Sequence, residues 1–178
     1  MTRVDRRKQD ELYGQAITQH GATIRRFARG YEADPEHRLD LLQEIHLNLW
    51  QSLRLFDGRC ALRTWVYRVA HNVAASHILR QRRFAARLVD LEALDTEHLP
   101  VHDGARSDSR CIAQTLLKLI HRLRPADRQI ILLYLEGETA AEIAEVTGFS
   151  PSNIATKIHR IKKLLRQQYI GGESHEQE

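Results

Sequence analysis

The sequence predicts an all-α protein: two small helical domains joined by a flexible acidic linker, with a helix-turn-helix as the C-terminal domain. Three observations predict it. Apolar residues recur at helical steps along most of the 178 residues, with no sustained strand alternation. The four prolines and nine glycines fall mainly at segment boundaries. Helical periodicity lapses from about 88 to 109, where Pro100 and Gly104 occur and Asp90, Glu92, Asp95, Glu97, Asp103 and Asp108 stand against Arg106 alone. A chain of this length can bury a core as one medium domain or as two small ones.

The first helix is expected from about Asp10 to Tyr31, with Leu12, Ala16, Ile17, Ile24, Phe27 and Ala28 on its buried side. Asp34-Pro35 restarts the chain. A second helix, from about Glu36 to Leu53, carries the stripe Leu39, Leu42, Ile45, Leu49 and Leu53, and its other face shows Asp40, Gln43, Glu44 and Asn48. Phe56-Asp57-Gly58 makes a break. A third helix runs from near Ala61 to Arg87 on Leu62, Val66, Val69, Val73 and Ile78. Beyond the linker, order resumes with Ile112, Leu116, Leu119, Ile120 and Leu123, and Pro125 opens a helix through Ile130, Leu133 and Leu135. The expected division is therefore a domain over 10–87, the linker over 88–109, a domain over 110–168 and a disordered tail over 169–178.

Residues 138–166 specify the helix-turn-helix. Thr139 and Glu142 have the spacing of a capping box, and Ile143 and Val146 point inward. Ala144 is small enough to lie against the turn. Gly148 permits the positive φ that a tight turn needs, and Phe149 is expected to plug the angle between the helices. Ser150-Pro151 reads as an N-cap followed by a residue suited to the first helical position. The helix that follows buries Ile154, Ile158, Ile161 and Leu165, and its other face carries Asn153, Thr156, Lys157, Arg160 and Lys163. That face is able to bond phosphates and base edges. A solvated amphipathic surface would show similar lysines and arginines, but not the two caps, the turn glycine and the sign-pure face together.

The formal net charge is +4 and the pI near 9.3, which favours a polyanionic partner. The charge is arranged in blocks: seven arginines and no acid lie between Arg59 and Arg87. Cys60 and Cys111 have no metal-ligand spacing around them and read as reduced thiols. The ten histidines fall in no ligand motif, so neither a metal nor any other cofactor is expected. No paired nucleophile and base and no phosphate loop appears, which disfavours an enzyme. The charged N-terminus has no apolar run, so the protein is expected to remain cytoplasmic, without membrane insertion.

The stretch Phe56-Asp57-Gly58-Arg59-Cys60-Ala61-Leu62-Arg63-Thr64-Trp65-Val66-Tyr67-Arg68-Val69-Ala70-His71-Asn72 resembles the promoter-melting segment of bacterial sigma factors, and most of all that of the extracytoplasmic-function (ECF) group of the sigma-70 family. Asp40-Leu41-Leu42-Gln43-Glu44 resembles the acidic motif that precedes that segment in the family. Leu123-Arg124-Pro125-Ala126-Asp127-Arg128 resembles the entry to its second DNA-binding region, and Glu142-Ile143-Ala144, Gly148, Ser150 and Ile154 resemble its helix-turn-helix. The resemblance covers about 10–87 and 112–168.

The resemblance implies a sigma factor that binds RNA polymerase core, recognises minus-10 and minus-35 promoter elements and starts transcription of a specific regulon, stress or envelope responsive, under an anti-sigma factor. It assigns polymerase binding to Asp40, Gln43, Glu44 and Asn48, although Asp40 and Glu44 also suit a solvated i,i+4 face. Minus-10 contact falls to Phe56, Arg59, Arg63, Trp65, Tyr67, Arg68 and Asn72, since rings and arginines hold unstacked bases. Trp65 and Tyr67, at helical spacing from Val69, also suit a core. Minus-35 contact falls to Ser152, Asn153, Thr156, Lys157, His159, Arg160 and Lys163. The acidic linker would lead toward the polymerase's nucleic-acid channel. Two departures stand out: His37-Arg38-Leu39-Asp40 where the family often has D-A-E-D, and Ala155 where Lys or Arg is common. The competing reading is a conventional helix-turn-helix regulator with an N-terminal sensing or dimerisation domain.

Overall fold

The computed structural model describes residues 6–89 and 108–173, all of whose regular structure is helical. The N-terminal unit comprises α1 (Arg6–Tyr31), α2 (Pro35–Ser52) with a short 3-10 turn over Leu53–Leu55, and α3 (Leu62–Val89). The C-terminal unit comprises α4 (Asp108–Arg122), α5 (Pro125–Leu135), α6 (Ala140–Thr147) and α7 (Pro151–Glu173). Most of the linker expected over 88–109 lies outside the described residues.

Asp34 starts α2 as expected: its Oδ1 accepts from the backbone N–H groups of Glu36 and His37, both at 2.9 Å, with Pro35 in the first turn. Of the expected stripe of α2 and the turn after it, Ile45, Leu49 and Leu53 are buried and Leu42 is partly buried against the core. Leu39 is 62% exposed, and Leu41 takes its place one four-residue step before Ile45. Ala16, Ile24, Phe27 and Ala28 of α1 and Val66, Ala70, Ala74 and Ile78 of α3 complete this core. At its centre the His71 ring lies 4.2 Å from that of Phe27, and its Nδ1 shares a 3.0 Å hydrogen bond with the Tyr31 hydroxyl. Burial lowers the His71 pKa to about 3, so the ring is neutral at physiological pH.

In the C-terminal unit Leu119, Ile120, Leu123, Ile130, Leu133, Ile143, Ile154 and Ile161 form the core. Helix α7 runs through Gly171 and Gly172 to Glu173, beyond the expected end at 168. Buried Leu165 and half-buried Tyr169, both packed on the core, hold the preceding turns, and a helical glycine costs only about 1 kcal/mol against alanine.

The two units pack against each other. Gly30 in the last turn of α1 faces Leu132 of α5 so closely that a Cβ at residue 30 would lie 2.5 Å from Leu132 Cδ2. Arg128 of α5 donates to the carbonyl of Tyr31 at 3.1 Å, to Ile120 and Leu123 at 3.2 Å and to His121. His121 Nε2 donates to the Arg29 carbonyl at 2.9 Å. Two of the C-terminal carbonyls of α1, those of Arg29 and Tyr31, are thereby satisfied from the other unit.

Candidate nucleic-acid interface

Helix α6 begins with the expected capping box. Thr139 Oγ1 accepts from the Glu142 N–H at 3.3 Å, and Glu142 Oε2 accepts from the Thr139 N–H and hydroxyl at 2.8 Å. Those bonds, with help from Arg63, hold the Glu142 carboxyl at about 2. Gly148 ends the helix at φ +79°, its N–H bonded to the Ala144 carbonyl at 2.8 Å. Ser150 Oγ then accepts from the Asn153 N–H at 3.3 Å and starts α7. The exception is Phe149, which does not plug the turn. It is 38% exposed and lies under the Lys157 ammonium, 5.4 Å from its ring centre.

On the outer face of α7, Ser152, Asn153, Thr156, His159, Arg160 and Lys163 are exposed, as is Ala155. Lys157 is only half-exposed. Its Nζ lies 3.3 Å from Asp127 Oδ1, and Arg160 Nη2 lies 3.2 Å from Asp127 Oδ2. Arg124 makes a third contact, at 2.9 Å. Burial works to raise the Asp127 pKa, but Arg124 and Lys157 outweigh it and keep the carboxyl ionised. Asp127 was not among the candidates. Its place in the first turn of α5, three residues after Arg124, was the available signal, but its partners 30 and 33 residues away left none.

The expected minus-10 residues divide into four sets. Arg59 is 90% exposed and pairs with Asp57 at 3.1 Å, and Asn72 is also exposed. Phe56 and Trp65 are half-buried, packed edge to face at 5.5 Å, and the Trp65 Nε1–H donates to Ser52 Oγ at 3.0 Å. Tyr67 is corrected to a core residue: it is 5% exposed and sits edge-on to Phe27 at 5.2 Å and His20 at 5.6 Å. A ring held there has no open face on which to stack a base.

Arg63 and Arg68 are turned toward the C-terminal unit. Arg63 pairs with Glu138 at 3.2 Å and with Glu142, and Arg68 Nη2 donates to the Glu145 carbonyl at 2.6 Å. Near them Arg26 grips Glu136 with two bonds, Nε to Oε1 at 2.6 Å and Nη2 to Oε2 at 2.5 Å, and Thr23 Oγ1 donates to Oε2 at 3.0 Å. These bonds, the Arg26 contact foremost, lower the Glu136 pKa, whereas burial raises that of Glu138.

Asp40, Gln43 and Glu44 line a depression of about 400 Å³ on α2 with Leu47 and His77. Asp40 and Gln43 are exposed, whereas the Glu44 carboxylate is engaged by Arg80 and lies 3.6 Å from His77 Nδ1. Asn48 is exposed and returns its Nδ2 to the Glu44 carbonyl at 2.8 Å. Leu39 and Leu47, missed from sequence, add exposed apolar surface to this face. Among the described residues, no cluster of three or more His, Cys, Asp or Glu could hold a metal, and no helix is long and apolar enough to cross a membrane.

Residues 16–84 match the model for Sigma-70 region 2, and residues 113–165 match that for Sigma-70, region 4. The chain is 26% identical over 146 residues to the ECF RNA polymerase sigma factor SigX of Bacillus subtilis, covering 75% of this chain and 71% of that one. It is 27% identical over 142 residues to SigW of the same organism, covering 72% and 73%. Among solved structures, CnrH in complex with the cytosolic domain of CnrY superposes with a TM-score of 0.63 at 22% identity, over 94% of this chain and 97% of that one. The sigma factor RpoE of Bartonella quintana, solved with the anti-sigma factor NepR, gives 0.66 at 18% identity, over 87% and 94%. These two likenesses show a shared fold. With region 2 matched on α1 to α3 and region 4 on α4 to α7, in that order, the chain belongs to the extracytoplasmic-function group of the sigma-70 family of RNA polymerase sigma factors.

Proposed function

We propose that this chain acts in the cytoplasm as a promoter-specificity factor, without enzymatic activity of its own, joining RNA polymerase core through the outer face of α2 and reading DNA through α3 and α7. One observation carries this reading: an exposed carboxylate and amide face and an arginine-bearing helix lie on one unit, and a doubly capped helix-turn-helix with an exposed polar and cationic face lies on the other. Asp40 and Gln43 offer acceptors and an amide to basic and polar groups of the polymerase, with Leu39 and Leu47 supplying apolar contact. Arg59, Arg63, Arg68 and Asn72 would hold the strand of an opened minus-10 element, where cationic groups track the backbone. The N-terminal turns of α7 would enter the major groove at minus-35 with Ser152, Asn153, Thr156 and Arg160.

CnrH was solved with the cytosolic domain of CnrY and RpoE with the anti-sigma factor NepR, which supports an anti-sigma factor for this chain as well. An apolar cleft of about 480 Å³ between α1, α4 and α5, bordered by Phe27, Leu116, Ile120 and Leu132, gives such a partner a seat. A regulon answering to envelope or other stress fits that arrangement. The test is run-off transcription from DNA upstream of the chain's own coding sequence, with sigma-free core polymerase. A transcript that depends on the added chain is expected. Tight binding of that DNA by the chain alone, with no transcript, supports a conventional helix-turn-helix regulator instead.

A further inference from the structure

Asp127 is buried in the first turn of α5, 6% exposed, and yet holds two of the cations on the α7 helix. Its Oδ1 lies 3.3 Å from both Lys157 Nζ and Arg160 Nη2, and its Oδ2 lies 3.2 Å from the same Nη2. The third cation, Arg124, bonds Oδ2 alone, at 2.9 and 3.2 Å. A carboxylate so enclosed acts on DNA only through its cations.

The two α7 cations are held differently. Lys157 is pinned between Asp127 and the Phe149 ring, with 20% of its side chain exposed. An ammonium is a point charge that meets phosphates without reading sequence, and here it is drawn away from them. Arg160 is 59% exposed and uses only Nη2 on Asp127. Its Nε, Nη1 and the second Nη2 hydrogen have no partner among the described residues. A planar fork held at one corner keeps a fixed orientation and still suits the O6 and N7 acceptors of guanine. We propose that Asp127 is a positioning residue for base readout: it fixes Arg160 for a guanine in the major groove and withholds Lys157 from the phosphates. A buried carboxylate thus sets how selective α7 is. This inference rests on the DNA-reading role given to α7 above and deepens it.

Its signature is a pair of opposite changes. Without the carboxylate Arg160 swings freely and Lys157 is released, so selectivity falls while sequence-independent binding holds or rises. A residue needed only to fold the unit would lower both. The test uses the full chain and its Asp127→Asn, Arg160→Ala and D127N/R160A variants. A duplex is selected from a random pool by the full chain, once alone and once bound to core polymerase, and each base pair of the selected site is then changed in turn. Fluorescence anisotropy gives the affinity for these duplexes and for an unrelated one over a range of salt. The pair at which Arg160→Ala loses its preference marks the base that Arg160 reads.

At that pair the parent should prefer guanine by about 5- to 150-fold, the range for one bidentate base contact, and Asp127→Asn should lower the preference at least about fivefold. On the unrelated duplex its salt slope should steepen by about 0.9, the effect of one more phosphate contact. Adding Asp127→Asn to Arg160→Ala should change the preference by less than about twofold, since nothing is left to position. In the parent itself, nitrogen NMR should show slowed rotation of the Arg160 guanidinium, assigned by its loss in Arg160→Ala. If Asp127→Asn fails to fold by circular dichroism, that measurement decides. Equal loss on selected and unrelated duplexes overturns the proposal, as does a further loss of preference without Arg160, a site in which Arg160 reads no guanine, or a freely rotating Arg160 in the parent. Run-off transcription separates this proposal from the sigma-factor reading: no transcript, with the Asp127 effect intact on the site chosen by the chain alone, removes the sigma assignment and leaves Asp127 its role.

Discussion

Replacing Arg160 with alanine should weaken minus-35 binding much more than it weakens the fold. The Arg160 side chain is 59% exposed and touches the protein through one amino group on Asp127, at 3.2 and 3.3 Å. An ion pair exposed on one side contributes at most about 1 kcal/mol, so the melting temperature should fall by no more than about 4 °C. The rest of the guanidinium is available to DNA. Loss of a base contact costs about 1–3 kcal/mol, a weakening of about 5- to 150-fold, and loss of a phosphate contact lowers the salt slope by about 1. The Asp127 carboxylate, deprived of one cation, would also turn more negative potential toward the groove. Fluorescence anisotropy on a duplex selected from a random pool by the polymerase-bound chain, repeated from 50 to about 300 mM salt, reads both quantities. Unchanged affinity and slope would refute the assignment of Arg160 to DNA, as would an equal loss of affinity for polymerase core.

Asp40→Arg should weaken association with polymerase core at least several-fold while moving the melting temperature little, because Asp40 is exposed; fluorescence titration with core polymerase checks this. His71 should impose a pH dependence on stability. The unfolded imidazole takes its proton near 6.5 and the folded one near about 3, so stability is complete above about pH 6.5 and falls as the pH drops toward 3, at up to about 1.4 kcal/mol per pH unit. Urea denaturation between pH 7 and 4.5 should show that slope, and His71→Phe should flatten it. Gly148→Val places a β-branched residue at φ +79° with nothing within 4 Å of the new Cβ, so its cost of about 1–2 kcal/mol is conformational alone and thermal melting should show it.

Local features were legible in the sequence because their partners are a few residues apart. The Thr139 and Glu142 box, the Gly148 turn and the Asp34 and Ser150 caps each follow from spacings of two to four residues. The α2 stripe differed at one end: Leu39 is exposed and Leu41, a step of four before Ile45, is buried, while Leu42 packs partly against the core, because the neighbouring helices decide which leucine is covered. Tyr67 could be read as a stacking ring or as core, and only its contacts with Phe27 and His20 separate the two. The Arg26 to Glu136 pair, which joins residues 110 positions apart, had no sequence signal, and neither had the contacts of Asp127 with Lys157 and Arg160. Charge of one sign along α3 pointed to a polyanion, and the carboxylates that meet it in the structure belong to the chain itself.

Gly30 also carries a genetic consequence. Its contribution to the interface is the absence of a side chain, and any other residue there presses on Leu132. A library of all substitutions at codon 30 should therefore lose thermal stability at nearly every residue, small and large alike, because the close approach leaves no room even for a Cβ.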